Sequence, residues 1–404
     1  MSFAELWADL LPLGRDERTG GYRRYSWTQS DAACRGWFAA TASRLGLQAE
    51  CDRNGNLWAW WEPSATGPVV VTGSHLDSVP DGGAFDGPLG VASAFAAVGR
   101  LRDTGFRPAR PVAIAAFTEE EGARFGVACL GSRLLTGAID PAAARRLRDR
   151  DGVSLAEAMR AAGRDPALLG RDDERLARLG ACVELHIEQG SVLARLGAAV
   201  GVAAGIWPHG RWRLDFAGRA DHAGTTRLAD RRDPMLPFAA TVLAARAAAE
   251  RHGALATVGK VTAEPGAANA ISASVRAWLD ARASDEKALA DVVAEVWDVA
   301  QQESARQGVR VSRAAESVTP AVSFDSALRD RVMAVLAAAG APAPLLATGA
   351  GHDAGVLASR IPATMLFVRN PTGVSHAPAE RAEPADCEAG VAALAAVIAD
   401  LAGQ

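Results

Sequence analysis

Most of the chain's seven histidines lie among acids and glycines. His75 sits in GSHLDSVPDGGAFDGPLG, with Asp77 two residues on and Asp86 further along the same stretch. His186 lies in ELHIEQG and His376 in GVSHAPAE, and three consecutive acids, Glu119, Glu120 and Glu121, precede the GARFG turn. A histidine by itself is most often structural or solvent-facing, and three acids in a row can be a solvated strand end. Together these residues have another use. A divalent cation takes imidazole nitrogens and carboxylate oxygens converging from separate loops. Two cations need a carboxylate shared between them, and such a pair activates water for hydrolysis.

The elements around these residues place them suitably. GPVVVTGSHLD (67–77) reads as a buried strand ending in polar residues, and ARPVAIAAFTEEEG (109–122) as a second, closing on acids. Between them GVASAFAAVGRLRDTG (90–105) has helical periodicity and a glycine stop. Strand, helix, strand implies a parallel sheet, whose functional residues gather at the strands' carboxyl ends. Both polar clusters fall there.

The pattern changes near residue 207. Strand RWRLDFAG, helix DPMLPFAATVLAARAAAERHG, strands ATVGKVTAE and ISASVRAWLDAR, helix EKALADVVAEVWDVAQQESAR and strand VRVSRAAE follow. That βαββαβ order is a complete small sandwich of roughly 110 residues. Helix DSALRDRVMAVLAAAG and strand ATMLFVRN then resume the earlier style. The expected fold is α/β: a mixed sheet with flanking helices over 1–206 and 317–404, interrupted by a lid over 207–316. There is no internal repeat.

Composition limits the partners. A chain of 404 residues suits two domains, and 49% hydrophobic with 22% charged residues is ordinary for a soluble protein. A net charge of -4 advertises neither a nucleic acid nor an anionic membrane. Arginine carries nearly all the positive charge, a compositional bias rather than a phosphate code; the only lysines are Lys260 and Lys287. Five cysteines (Cys34, Cys51, Cys129, Cys182, Cys387) without a C-x-x-C pair argue against a disulfide framework or a zinc knuckle. The first residues, MSFAELWADLLPLGRDERTGG, have no basic leader region, and Glu5 and Asp9 break their apolar run. No apolar run approaches the roughly 18 residues of a membrane span. The expected location is cytoplasmic.

In order along nearly the whole chain, GSHLDSVPDGGAFDGPLGV, FTEEEGARF, ELHIEQG, ADHAGTT, the Asn269 loop, LDAR, GAGHDAG and GVSHAPAE resemble one family. It is the amidase/hydantoinase/carbamoylase branch of the aminoacylase–carboxypeptidase clan of metal enzymes. That branch includes N-carbamoyl-L-amino-acid hydrolases, allantoate amidohydrolases and β-ureidopropionases. In dipeptidases and aminoacylases of the clan the position of His186 generally carries a carboxylate, so ELHIEQG favours the carbamoylase branch.

The resemblance implies two divalent cations, with zinc, manganese, cobalt and nickel all compatible with the donors. His75, Asp86 and His186 would hold one, Asp86 would bridge, and Glu121 and His376 would complete the other. Asp77 would orient His75, and Glu120 would be the general base, leaving Glu119 outside the ligand set. His222 of ADHAGTT would stabilise the oxyanion; its plain alternative is a turn histidine. Gln189, Asn269 and Arg282 would read the substrate, Arg282 through its carboxylate, although by sequence alone Arg282 is an ordinary strand-end arginine. His352 is expected to be structural or near the substrate. The implied reaction is cleavage of a non-peptide C–N bond in a small carbamoylated or ureido acid, or an N-formyl or N-formimino acid. The implied assembly is a homodimer through the lid, each site borrowing His222 from its partner.

Two departures bear on the substrate's side-chain pocket: Arg227 and Leu228 follow GTT, and Arg369 and Asn370 precede His376. A cysteine-nucleophile amidase built on Cys129 would need a lysine of the lid to reach across. An inactive scaffold that only binds metal or an acidic metabolite is the non-enzymatic alternative, and the intact Glu120 argues against it.

Overall fold

The computed structural model describes residues 1–62 and 66–403. It divides into two compact units, Met1–Gly205 with Ser323–Gln404, and Ile206–Val322.

The first unit is built on a nine-stranded mixed sheet. Its middle is parallel: Val112–Phe117, Val69–His75, Leu179–Ile187 and Ala363–Val368 lie side by side in that order. Leu57–Trp61 extends it antiparallel on one side and Val200–Ile206 on the other. Every residue of Val69–His75 and Val112–Phe117 is buried, as expected of parallel strands covered on both faces. Helices Pro88–Asp103, Ser326–Ala338 and Pro384–Ala402 supply apolar faces to one large core with these strands. Pro88–Asp103 lies directly on the sheet, since a Cβ at Gly90 would fall 2.0 Å from the Leu185 carbonyl oxygen. The two strands of the strand–helix–strand segment read from the sequence are adjacent and parallel, and their carboxyl ends form one rim. The central strand Leu179–Ile187 brings His186 to that rim. Residues 124–178 form several short helices that no sequence period announces, packed around Phe125, Leu134, Leu155 and Met159.

The second unit has the expected βαββαβ order. Its antiparallel sheet runs Arg310–Thr319, His209–Ala217, Ser274–Arg282, Leu255–Glu264. Strict alternation buries Trp212, Leu214, Phe216, Val275 and Leu279 beneath helices Met235–His252 and Glu286–Arg306. The other face is charged: Asp215 pairs with Arg213 and Arg276, and Asp280 with Arg211 and Arg282. The last strand runs to Thr319, beyond the expected edge at 316. A two-residue ribbon absent from the sequence reading pairs Asp221–His222 with Ala270–Ile271. Among the described residues no helix is long and apolar enough to cross a membrane.

Candidate metal centre

His75 closes strand Val69–His75, opposite Phe117 in the next strand, and His186 lies near the end of Leu179–Ile187. Both imidazoles are fully buried. Asp86 comes from the loop before helix Pro88–Asp103, and the glycine that follows it is required: at Gly87, φ is +88° and a Cβ would meet the His75 ring at 2.4 Å. Asp86 Oδ1 faces His186 Nε2 at 3.2 Å and His75 Nε2 at 3.6 Å. Its Oδ2 faces His376 Nε2 at 3.3 Å, and that nitrogen lies 3.6 Å from Glu121 Oε2. One carboxylate thus presents its two oxygens to two different trios, His75–Asp86–His186 and Asp86–Glu121–His376, each close enough to surround a metal ion.

These donors fit cations. His75 Nε2, His186 Nε2 and Glu121 Oε1 are buried without a hydrogen-bond partner, a costly arrangement unless something positive is bound. The mixture of imidazole and carboxylate suits zinc, manganese, cobalt or nickel. The other nitrogen of each buried histidine is held: His186 Nδ1 lies 2.9 Å from the Ile187 carbonyl and His75 Nδ1 3.2 Å from the Asp77 carbonyl.

Asp77 does more than the sequence suggested. Its carboxylate stands 3.5 Å from His75 Nδ1 but accepts the backbone N–H groups of Glu120 and Glu121, each at 3.1 Å. It therefore fixes the acidic turn as well as the imidazole. Glu120 lies beside the first trio, its Oε2 3.7 Å from His75 Nε2, and its Oε1 accepts the Cys129 thiol at 3.3 Å. Glu119 turns away, its Oε1 accepting the N–H groups of Arg124 and Phe125.

The electrostatics follow from burial and crowding. Burial raises Glu120 well above the usual carboxylate range, and burial with neighbouring Asp86 raises Glu121 to about 7. Burial opposes the charge on Asp86, but His186, His376 and His75 outweigh it and hold the group well below its usual range. The Asp86 hydrogen bond lifts His376 to about 9.

Gln189 donates to Asp86 Oδ2 at 2.8 Å, so it steadies the shared carboxylate in this state. His352 is buried against the edge of His186, ring centroids 4.5 Å apart, and neither of its nitrogens has a hydrogen-bond partner. Burial lowers its pKa well below the ordinary imidazole range. It forms a third possible trio with Glu184 and His186. Glu184, however, already accepts from Ser74 Oγ and the Ala354 N–H.

His222, Asn269 and Arg282 belong to the second unit. There the Ala223 N–H donates to the Asn269 carbonyl at 3.0 Å, so the His222 and Asn269 loops are neighbours. The exposed His222 accepts the Gly224 N–H at Nδ1, which leaves Nε2 to carry the proton and donate outward. Arg282 Nε bonds Asp280 at 2.9 Å.

The residues of the two departures have local partners. Arg369 makes a bidentate pair with the buried Asp386, and the buried Asn370 ties down the backbone at Thr372, Gly373 and Val374. Both residues help to build the loop before His376. Arg227 is exposed and paired with Asp230. The cysteine-nucleophile alternative also weakens, because burial pushes the Cys129 thiol well up. The lysines are engaged in the other unit, Lys287 with Asp291 and Lys260 over Trp278. Ser375 and Glu380, which bind Asp86 and its backbone, are absent from the sequence reading; an acid four residues after His376 was the available signal.

Comparison with known proteins identifies the family. Residues 71–400 match the model of peptidase family M20/M25/M40. The chain is 37% identical to an N-carbamoyl-L-amino acid amidohydrolase of Geobacillus stearothermophilus, over 96% of each chain. It is 33% identical to an allantoate amidohydrolase of Bacillus subtilis, over 89% of this chain and 88% of that one. A solved amidase of the hydantoinase/carbamoylase family from Burkholderia vietnamiensis superposes with a TM-score of 0.89 at 30% identity, covering 100% and 98% of the two chains. With two candidate metal-binding trios sharing one carboxylate at the sheet's rim, the chain belongs to the hydantoinase/carbamoylase amidases of peptidase family M20/M25/M40.

Proposed function

We propose that this protein is a binuclear amidohydrolase that cleaves a non-peptide C–N bond in a small N-carbamoyl or ureido acid, such as an N-carbamoyl-L-amino acid or allantoate. The observation that carries the reading is Asp86, with one oxygen toward each trio and Glu120 alongside. The names of the relatives supply the substrate class.

Divalent cations held by the two trios would acidify a bound water and polarise the scissile carbonyl. Glu120 takes a proton from that water as its oxygen adds to the ureido carbon. As the C–N bond breaks, Glu120 returns the proton to the departing nitrogen. Its burial beside Cys129 keeps bulk water from competing for that proton. Nε2–H of His222 is the donor for the developing oxyanion. Arg282 takes the substrate carboxylate in place of, or together with, Asp280, and Asn269 presents its amide beside His222.

The proposed assembly is a homodimer through the second unit, with His222 supplied in trans. Helix Met235–His252 exposes Met235, Leu236 and Leu243, and strand Leu255–Glu264 is a sheet edge exposing Leu255 and Val261. An apolar helix face beside an open strand edge suits a two-fold contact with a second copy. Five free cysteines support a reducing, cytoplasmic location.

The test is turnover of carbamoyl, ureido, formyl and formimino acids, together with dipeptides and N-acyl amino acids, by metal-replete and chelated protein. Chelator-sensitive release of product from carbamoyl or ureido acids is expected. Turnover of dipeptides or N-acyl amino acids alone would replace the reading with the aminoacylase one, and no turnover at all would leave a metal-binding scaffold.

A further inference from the structure

Glu380 lies four residues after His376, is 5% exposed, and has no part in the hydrolytic steps above. Its Oε2 accepts the backbone N–H groups of Phe85 at 2.8 Å and Asp86 at 3.0 Å. Its Oε1 faces Ser375 Oγ at 3.3 Å, and the same hydroxyl lies 3.0 Å from Asp86 Oδ2. A side chain of the last ligand loop therefore grips the backbone that carries the shared carboxylate, across 294 residues of sequence. The fit is close. A Cβ on Gly83 would stand 2.3 Å from Glu380 Oε2 and 2.4 Å from its Cβ.

The two trios depend on this grip unequally. His75 and His186 are set by strand register within the sheet. His376 has no such frame. It sits on a loop with φ at +56°, a conformation uncommon for a residue other than glycine, which its surroundings must hold. Asn370 ties the loop before it, and Glu380 ties the loop after it.

We propose that Glu380 is a positioning residue: it latches the His376 loop to the Asp86 loop and so sets the affinity of the Asp86–Glu121–His376 cation position. The His75–Asp86–His186 position, whose two histidines the sheet holds, depends on it less. The inference rests on the two-cation reading, and the experiment separates the two.

Metal-free full-length protein is titrated with cobalt(II), followed by its visible absorbance, and with zinc by calorimetry. Wild type that binds fewer than two cations per chain overturns the two-cation reading, and the latch with it. Given two in wild type, Glu380→Ala is expected to weaken one cation by about 10- to 100-fold, as losses behind metal ligands do, and the other by less than about threefold. Glu380→Gln keeps a carbonyl oxygen for the same two N–H groups and should stay within about threefold of wild type at both positions. Gly83→Ala, which crowds Glu380 without removing it, should reproduce the selective loss. Wild-type binding of both cations by Glu380→Ala overturns the latch alone. So does equal weakening of both, or a Glu380→Gln variant as damaged as the alanine one. If Glu380→Ala fails to fold by circular dichroism, Glu380→Gln and Gly83→Ala decide by the same criteria.

Discussion

Replacing Glu120 with glutamine tests the proton-transfer role with the least disturbance of shape. The amide has the size of the carboxyl, and its oxygen can still accept the Cys129 thiol where Oε1 does now. Glu120 belongs to neither trio, so no metal donor is removed. The capacity to take and return a proton is what disappears. Loss of a general base costs about 10²- to 10⁴-fold in rate, or about 3–5 kcal/mol of transition-state stabilisation at 1.36 kcal/mol per decade. A competing effect must be separated. The substitution also removes a negative charge beside Asp86 and Glu121, and a unit charge about 4 Å away is worth up to about 4 kcal/mol at an effective dielectric near 20. Cations lost for that reason would lower the rate without any change in proton transfer.

The assay therefore measures kcat, KM and bound metal together, at saturating metal. The expected result is two cations per chain, a KM close to wild type and a kcat lowered by about 10²–10⁴, the pattern of an interaction made only in the transition state. A control separates the neighbouring acid. Glu119 bonds the Arg124 and Phe125 N–H groups, which glutamine can also satisfy, so Glu119→Gln should cost less than about tenfold. A Glu120→Gln enzyme with wild-type kcat, or a Glu119→Gln enzyme damaged equally, would refute the assignment.

Three further outcomes follow from the same arrangement. Arg282→Lys should weaken carboxylate substrates, and converting the substrate carboxylate to an amide should harm wild type far more than the variant; equal losses would remove Arg282 from recognition. Inactive Glu120→Ala and His222→Ala dimers, once subunits exchange, should recover about a quarter of wild-type sites if His222 acts in trans. Demonstrated exchange without recovery would place the histidine in its own chain or outside catalysis. Metal binding should release protons at pH 7, because His376 at about 9 is then protonated and Glu121 at about 7 is half so, and a cation displaces both protons. Metal affinity should accordingly fall as pH falls, and release should shrink above pH of about 9; calorimetry in buffers of different ionisation enthalpy that finds no release would contradict the ligand set.

The sequence exposes whatever is local or periodic. Continuous apolar runs ending in GSHLD and FTEEEG announce buried parallel strands with polar carboxyl ends, and alternation in RWRLDFAG announces a half-covered sheet. The family's motifs then assign ligands that spacing alone leaves open. Hidden are contacts made across tens to hundreds of residues by unremarkable side chains. Gln189 on Asp86, Asp77 on two backbone N–H groups, and Glu380 on Asp86 each join segments 43 to 294 residues apart. Arg369 is instructive in the same way. In sequence it is a bulky cation next to a ligand loop, and only the fold reveals Asp386 seventeen residues later in position to neutralise it. The short helices between 124 and 178 are too brief to develop a period, and tertiary packing decides them.

Exposure then distinguishes the two halves of the centre. His75 and His186 have side chains 0% exposed and Asp86 6%, whereas His376 is 49% exposed. Histidines buried that deeply on sheet strands cannot move without disturbing the core, so the two imidazoles of the first trio are held rigidly. The second trio faces solvent through its histidine and depends on loop contacts for its shape. In the proposed two-cation reading, substrate would approach from the accessible His376 side. Three of the five described non-glycine residues with positive φ, Glu119, Cys129 and His376, lie in the loops around the centre. The sheet thus supplies a fixed half, and the loops supply a half that can admit water and substrate. Asp86, with one oxygen toward each, joins the two halves.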